Sequence, residues 1–240
     1  MGERGGLARF GPCAAYRESL AGFTRTDVWL AVAMMIASCV DTYRWGRFYA
    51  TRSSIPHREI LARGFIGVAV LLAAVAVVLA ARRQRWRTVG FGTAHVRRSL
   101  LVGAVIAAVM LGGSWLVGAS LGHPATSPLI LTYGLPYYLV VIGFFEEVVW
   151  RGFVTTRLAA AFRRPWVGVV LAGALFGLSH LVMPLAYGGA DVASILIENW
   201  WRVPIPFAWH FVLWWLYARY DSLAAPTLLH LAMNLSGELL

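Results

Sequence analysis

The sequence contains no lysine, only two cysteines and few acidic residues. All 21 of its basic residues are arginines, and with 11 Asp and Glu they give the 240-residue chain a formal net charge of +10. Because Cys13 and Cys39 are isolated, neither a disulfide framework nor a cysteine-based zinc site is expected. Charged residues make up 13% of the chain, whereas a soluble domain carries roughly a quarter.

The chain is instead predominantly apolar. It is 59% hydrophobic, and its mean hydropathy is +0.67. This is more apolar surface than one soluble core can bury. Continuous apolar runs favour helices over strands, and helices satisfy their own backbone groups in lipid. We therefore predict an all-α, polytopic integral membrane helix bundle, surrounded by membrane lipids in the plasma membrane of a bacterial cell.

The excess of arginine does not indicate a nucleic-acid partner. The arginines flank apolar runs, as charges that set membrane topology do. No basic stripe alternates with aromatic residues, as it would on a surface that binds single strands. Nucleic acid is therefore not expected among the partners.

The apolar runs can be counted as membrane spans, because a helix needs about 20 residues to cross the hydrocarbon core. The run at 99–145 is long enough to cross twice, with a break marked by Gly122, His123, Pro124 and Pro128. A short segment at 192–201 is predicted as a short or interfacial helix. The expected count is seven or eight helices, from runs at 28–40, 64–81, 99–145, 165–190, 203–218 and 222–237.

These runs also suggest a domain organisation. Residues 1–26 are predicted to form a polar N-terminal tail, 27–125 a set of N-terminal transmembrane helices, and 126–240 a separate C-terminal domain. Two arginine-rich segments, 44–63 and 82–98, lie on either side of a single predicted helix. The positive-inside rule places the denser segment, 82–98, in the cytoplasm. The other segment must break the rule or lie along the membrane interface.

Two adjacent carboxylates interrupt the apolar run before residue 157. Glu146 and Glu147 lie roughly 15 Å from either end of a helix predicted from 136 to 157. Glu147 and Arg151 are four residues apart and can pair on one helix face. Glu146 then has no local counter-ion and is suited to act as a general base. The alternative is that a buried ion pair and a neutral Glu simply tie helices together.

Three further polar residues lie in later spans at a comparable predicted depth. His180 lies in the next helix, and His230 and Asn234 lie four residues apart on one face of the last helix. Each of them alone could be an interhelical hydrogen bond. Together with Glu146 they predict one shared cavity.

Two hydrolytic mechanisms are open to these residues. Glu146 with His180 could hold and deprotonate a water molecule, while His230 and Asn234 donate to the developing oxyanion. Alternatively, Glu146, His180 and His230 could bind a divalent ion such as zinc, which would activate the water. The sequence does not choose between them, and the cofactor is left unassigned.

Three motifs give the C-terminal half a family resemblance. EExxxR at 146–151, FxxxH at 176–180 and HxxxN at 230–234 occur in this order on successive helices. They resemble the CPBP (CAAX protease and bacteriocin-processing, or Abi) family of intramembrane glutamate or metalloproteases. That family includes type II CAAX prenyl endopeptidases and bacteriocin-processing or immunity proteins. The resemblance covers about 128–240. It implies a catalytic set of Glu146, Glu147, His180, His230 and Asn234, supported by Arg151 and Phe176.

The expected function is therefore an intramembrane endopeptidase acting on a hydrophobic or lipidated peptide. One alternative is a catalytically silent immunity or scaffold protein of the same fold. Another is a small transporter with Glu146 and His180 as a proton relay, but the sequence shows no inverted repeat.

Overall fold

The protein is predominantly helical where its structure is described. The computed structural model describes residues 11–122, 129–187 and 191–239. It is 84% helical, and the described residues form no strand, which confirms the all-α prediction. Most of the predicted break at 122–128, and residues 1–10 of the predicted tail, lie outside the described residues.

Ten helices are present in the described residues, together with 3₁₀ turns at Trp86–Val89 and Trp200–Arg202. In chain order the helices are α1 (Ala14–Leu20), α2 (Arg25–Ala50), α3 (His57–Ala81), α4 (Val96–Ser120), α5 (129–161), α6 (Pro165–Ser179), α7 (Val182–Tyr187), α8 (Val192–Asn199), α9 (Pro204–Tyr220) and α10 (Ala224–Leu239).

Fewer of these helices can cross a bilayer than the apolar runs suggested. Among the described residues, three helical segments are long and apolar enough to cross a bilayer: α3, α4 and the α6–α7 segment Pro165–Tyr187. Helices α1 and α2 meet at an angle of 100°, and they add a fourth span if the pair crosses the membrane as one. The predicted count of seven or eight spans is not confirmed. One reason is length, since α9 and α10 have 17 and 16 residues. At 1.5 Å per residue they reach about 25 Å, short of the roughly 30 Å hydrocarbon core.

The helix α5 is the centre of the bundle. Helices α2, α3, α6 and α10 all pack against it. Much of α5 is π-helical, over Ile130–Gly134, Tyr137–Phe144 and Glu147–Thr155, and every residue of the last segment is buried. π-Helical geometry is rare, and it occurs frequently at functional sites. The carboxylates predicted to carry the chemistry therefore lie on the most enclosed helix.

Close backbone contact with α4 fixes the position of α10. A Cβ atom on Gly103 of α4 would lie 2.7 Å from the Cα of Ala225, so only glycine permits this approach. The backbone N–H of Ala225 donates to the Oγ of Ser99 at 2.9 Å. Small residues let membrane helices pack this closely. This contact holds α10, and with it His230, against the rest of the bundle.

The N-terminal segment predicted as a polar tail contains a helix that packs on the bundle. Tyr16 of α1 is 1% exposed, and its ring meets that of Tyr217 edge to face, with centroids 5.3 Å apart. The indole N–H of Trp214 donates to its hydroxyl at 3.0 Å. An aromatic ring with one satisfied polar end is well suited to such a site. The described part of the segment thus belongs to the packed structure.

A buried acid occupies the turn between α9 and α10. Asp221 is 3% exposed and has a left-handed backbone, with φ of 50°. Its ionic partner is Arg87, whose Nε lies 4.0 Å from the Oδ2 of Asp221. Burial raises the pKa of Asp221 to about 6, although the charge of Arg87 opposes the shift. Ionised Asp221 therefore destabilises the folded state.

We predict that Asp221→Asn stabilises the protein at pH 8 and has little effect at pH 4. The folded-state pKa of about 6 exceeds the reference value of 3.8. The protonated Asp221 is therefore favoured in the folded state, and the stability that it contributes below about pH 4 is lost as the pH rises through 6 and the carboxyl ionises. Asparagine stays neutral and tolerates the left-handed region. The gain at pH 8 should be about 2 kcal/mol, measured as a rise in the thermal unfolding midpoint in detergent. The control Asp191→Asn, at an exposed position, should give no gain in thermal stability. An equal change in the unfolding midpoint of Asp221→Asn at pH 4 and pH 8 would contradict the account.

Candidate active site

The two adjacent glutamates of α5 lie in different environments. The side chain of Glu147 is fully buried, whereas that of Glu146 is 27% exposed. Successive helical residues point in different directions, so neighbouring carboxylates need not share a partner. Glu147 faces the interior of the bundle, and Glu146 lies at the edge of the same enclosed region.

A three-residue contact joins α5 to α10. The Oε1 atom of Glu147 accepts a hydrogen bond from Arg151 Nη1 at 2.8 Å and another from His230 Nδ1 at 2.8 Å. Arg151 is 0% exposed and His230 is 7% exposed. An ionised carboxylate only accepts hydrogen bonds, so the Nδ1 of His230 must carry the proton. Glu147 and Arg151 form the i,i+4 ion pair that their spacing predicts, and the pair also orients His230.

The other ring nitrogen of His230 faces Glu146. Its Nε2 lies 3.8 Å from Glu146 Oε2, which is too long for a direct hydrogen bond. That oxygen is buried and has no hydrogen-bond partner among the described residues. In a neutral ring with its proton on Nδ1, Nε2 is an acceptor, as the carboxylate oxygen is. Two acceptors at this separation can share one water molecule that donates a proton to each.

Gly143 lies where α5 faces α10, one helical turn before Glu147. A Cβ atom there would lie 3.6 Å from the Cβ of His230, an ordinary contact distance, and 2.9 Å from the carbonyl oxygen of Tyr138 in α5 itself. The glycine therefore relieves crowding within α5 next to His230.

The FxxxH motif reaches the site through its phenylalanine. The guanidinium of Arg151 lies 4.2 Å from the centroid of the Phe176 ring. The His180 ring packs edge to face on the same ring, with centroids 4.7 Å apart. The Nδ1 of His180 donates to the carbonyl oxygen of Phe176 at 2.8 Å, because a carbonyl oxygen can only accept. The neutral His180 ring therefore keeps a lone pair on Nε2.

His180 and Asn234 lie beside this arrangement. The charges of Glu146 and Arg151 act on His180, but no hydrogen bond joins it to Glu146 or His230 within the described part of the chain. The side-chain amide of Asn234 donates to the carbonyl oxygen of His230, one turn earlier, at 3.2 Å. The structure thus brings Glu146, Glu147 and His230 into direct contact or near contact, with His180 and Asn234 at the periphery.

The ligands proposed for a divalent ion do not gather into a metal site. In the ranges that the structure describes, no group of three or more His, Cys, Asp or Glu side chains is placed to hold an ion. Glu146 and His230 would supply two donors, whereas catalytic zinc sites use three protein ligands. The residues therefore do not fit the divalent-ion site that was one of the two mechanisms left open, and the chemistry below uses the side chains of the chain alone.

Sequence reasoning did not identify Glu147 as the partner of His230. The four-residue spacing identified Arg151 as one neighbour, but no local pattern shows which glutamate faces a helix some 80 residues later. The available signal was chemical. A carboxylate has about four lone-pair sites, so one arginine leaves capacity for a second buried donor.

Comparison with known protein families identifies the region that contains these motifs. Residues 128–236 match the model of the type II CAAX prenyl endopeptidase Rce1-like family. This region belongs to that family. The match includes all three motifs and confirms the predicted resemblance, while it gives no support to the bacteriocin-processing alternative. No curated protein and no solved structure matches the chain. Together with the apolar helices, this match supports a membrane protein whose C-terminal region is related to a protease family.

The two glutamates of the Rce1-like region should differ in their effect on stability. Glu147→Gln leaves the buried charge of Arg151 without an ionic partner, and breaking such a pair costs about 3–5 kcal/mol. Glu146→Gln changes a partly exposed group that has no arginine bonded to it, so the thermal unfolding midpoint should stay close to that of the wild type. Equal losses of thermal stability in the two variants would contradict the distinct roles assigned to these residues.

Proposed function

We propose that the protein is an intramembrane endopeptidase that hydrolyses a peptide bond with a water molecule held between Glu146 and His230. The observation that supports this most directly is the 3.8 Å separation of Glu146 Oε2 and His230 Nε2, combined with the hydrogen bond from His230 Nδ1 to Glu147. That hydrogen bond fixes which ring nitrogen carries the proton.

In the proposed mechanism, both protons of the water point toward acceptors. One points toward Glu146 and the other toward His230, so the lone pairs of the water oxygen face away from both side chains. Glu146 removes a proton as that oxygen bonds to the carbonyl carbon of the substrate. The tetrahedral intermediate then collapses, the C–N bond breaks, and the amine leaves with the proton that Glu146 had accepted. Glu146 is thereby returned to its ionised form.

The remaining roles are assigned by hydrogen-bonding capacity. Asn234 has two amide N–H groups, and only one is needed for its bond to the carbonyl of His230, so the second can donate to the oxyanion. His180 was predicted to hold the water with Glu146, but its Nε2 is an acceptor when Nδ1 bonds the carbonyl oxygen of Phe176, and both protons of the water already point toward Glu146 and His230. We therefore assign His180 to positioning the Phe176 ring on which it packs. His230 was predicted to donate to the oxyanion, but its Nε2 is an acceptor when Nδ1 bonds Glu147. We therefore assign His230 to the water.

We propose a prenylated or otherwise hydrophobic peptide as the substrate. The matched family is named for CAAX prenyl endopeptidases, which supports a lipidated cysteine near the cleavage site. A membrane location of the active site is consistent with a substrate anchored by its lipid.

Cleavage should depend on the residues around the water. In proteoliposomes with a farnesylated CAAX peptide carrying a fluorophore and a quencher, Glu146→Gln and His230→Ala should each slow hydrolysis by at least about 100-fold. His57→Gln, at the start of α3 and away from the site, should cleave at the wild-type rate. Unchanged cleavage in Glu146→Gln would contradict the proposal. No cleavage by the folded wild type would favour the non-catalytic scaffold.

A chelator tests the water mechanism separately from the choice of residues. Because the proposed reaction uses only side chains of the chain, extensive dialysis against EDTA should leave the rate of peptide cleavage unchanged. Loss of activity that added zinc restores would show that an ion, rather than a proton-donating water, bridges Glu146 and His230.

A further inference from the structure

A large groove lies between α2 and α3 on the outside of the bundle. Its volume is about 1010 Å³, at or above the upper end of the roughly 300–1,000 Å³ of small-molecule sites. Both helices pack on α5 but make few contacts with each other. Phe145 and Val149 of α5 contribute to the lining. The groove is therefore a gap between two membrane helices, with the catalytic helix behind it.

The groove opens toward the surrounding lipid. Ile66 and Val70 of α3 line it, and each is 63% exposed. Large apolar side chains this exposed on a membrane helix face hydrocarbon rather than water. A ligand could therefore enter sideways from the bilayer without crossing an aqueous phase.

The two ends of the groove differ in polarity. Met34, Leu71 and Ala74 line the part distant from the α2–α3 connection. Three arginines and two acids line the part near it, a net charge of +1: Arg44, Arg47, Arg63, Asp41 and Glu59. The groove thus offers an apolar channel that ends in cationic side chains, which matches a molecule with a hydrocarbon chain and an anionic head.

The arginines near the α2–α3 connection outnumber the acidic residues there. Residues 41–63 contain five arginines and two acids, a difference of +3. Glu59 is already bonded by Arg52 at 2.7 Å and by Arg63 at 3.1 Å, and Asp41 is the acid on which the charge of Arg44 acts. The surplus favours an anion, and arginine binds phosphate oxygens particularly well.

We propose that this groove binds an anionic glycerophospholipid, with an acyl chain against Ile66, Val70 and Phe145 and the phosphate at Arg44 and Arg63. The proposal also accounts for the arrangement of arginines along α3. Segments 44–63 and 82–98 lie at opposite ends of that helix, so the positive-inside rule can place only one in the cytoplasm. A bound anionic headgroup supplies the counter-charge for segment 44–63.

The apolar part of the site can be blocked without disturbing the packing. A Cβ atom on Gly67, which lines the groove, would meet no atom within 4 Å, so Gly67→Phe fills the groove. Gly113→Phe on α4 is the matched control, because a Cβ there also meets no atom within 4 Å and it lies outside the groove lining. Binding is measured by native mass spectrometry of the purified full chain in neutral detergent, titrated with phosphatidylglycerol. Gly67→Phe should lose the bound lipid, and Gly113→Phe should retain it.

The headgroup contact is tested with arginine pairs. Arg44→Gln with Arg63→Gln should weaken phosphatidylglycerol binding by roughly fivefold per arginine, whereas Arg97→Gln with Arg98→Gln at the exposed start of α4 should not. Phosphatidylcholine with the same chains should bind more weakly than phosphatidylglycerol. The proposal is overturned if Gly67→Phe binds like the wild type, if both arginine pairs weaken binding equally, or if phosphatidylcholine or an uncharged isoprenoid alcohol binds as tightly.

Discussion

The structure of the site depends on one buried carboxylate that is shared by a cation and an imidazole. Burying the charge of Glu147 is costly unless it is paired and hydrogen-bonded. Arg151 supplies the pair from the same helix, and His230 supplies a second donor from α10. The same oxygen therefore stabilises the charge, joins two distant motifs and sets the proton position on His230. The orientation of His230 toward Glu146 follows from this contact.

Helix packing makes that contact geometrically possible. The π-helical segment of α5 carries Glu147, and the close contact of Gly103 in α4 with Ala225 holds α10 in the position from which His230 reaches it. The groove between α2 and α3 lies on another side of α5 and shares Phe145 and Val149 with it. One helix therefore connects the hydrolytic residues with the lipid-facing surface.

The sequence predicts the helical class from its apolar runs and the family resemblance from the spacing of its three motifs. The pair of Glu147 and Arg151 follows from helical periodicity alone. The number of spans does not, because α9 and α10 are apolar but too short to cross the bilayer by themselves. The partner of His230 and the packing of Tyr16 also could not be predicted. Both are contacts between residues far apart in the chain, and they depend on which helix faces meet.

A double-mutant cycle between Glu147 and His230 tests the central contact most directly. Thermal unfolding of Glu147→Gln, His230→Gln and the double variant in the same detergent gives their coupling free energy. Direct contact predicts a coupling of about 1–3 kcal/mol, while Glu147 and Asn199, whose side chain bonds only within α8, should be additive within roughly 0.5 kcal/mol. If the effects of Glu147 and His230 are also additive, the histidine is not held by that carboxylate, and the proposed alignment with Glu146 is wrong.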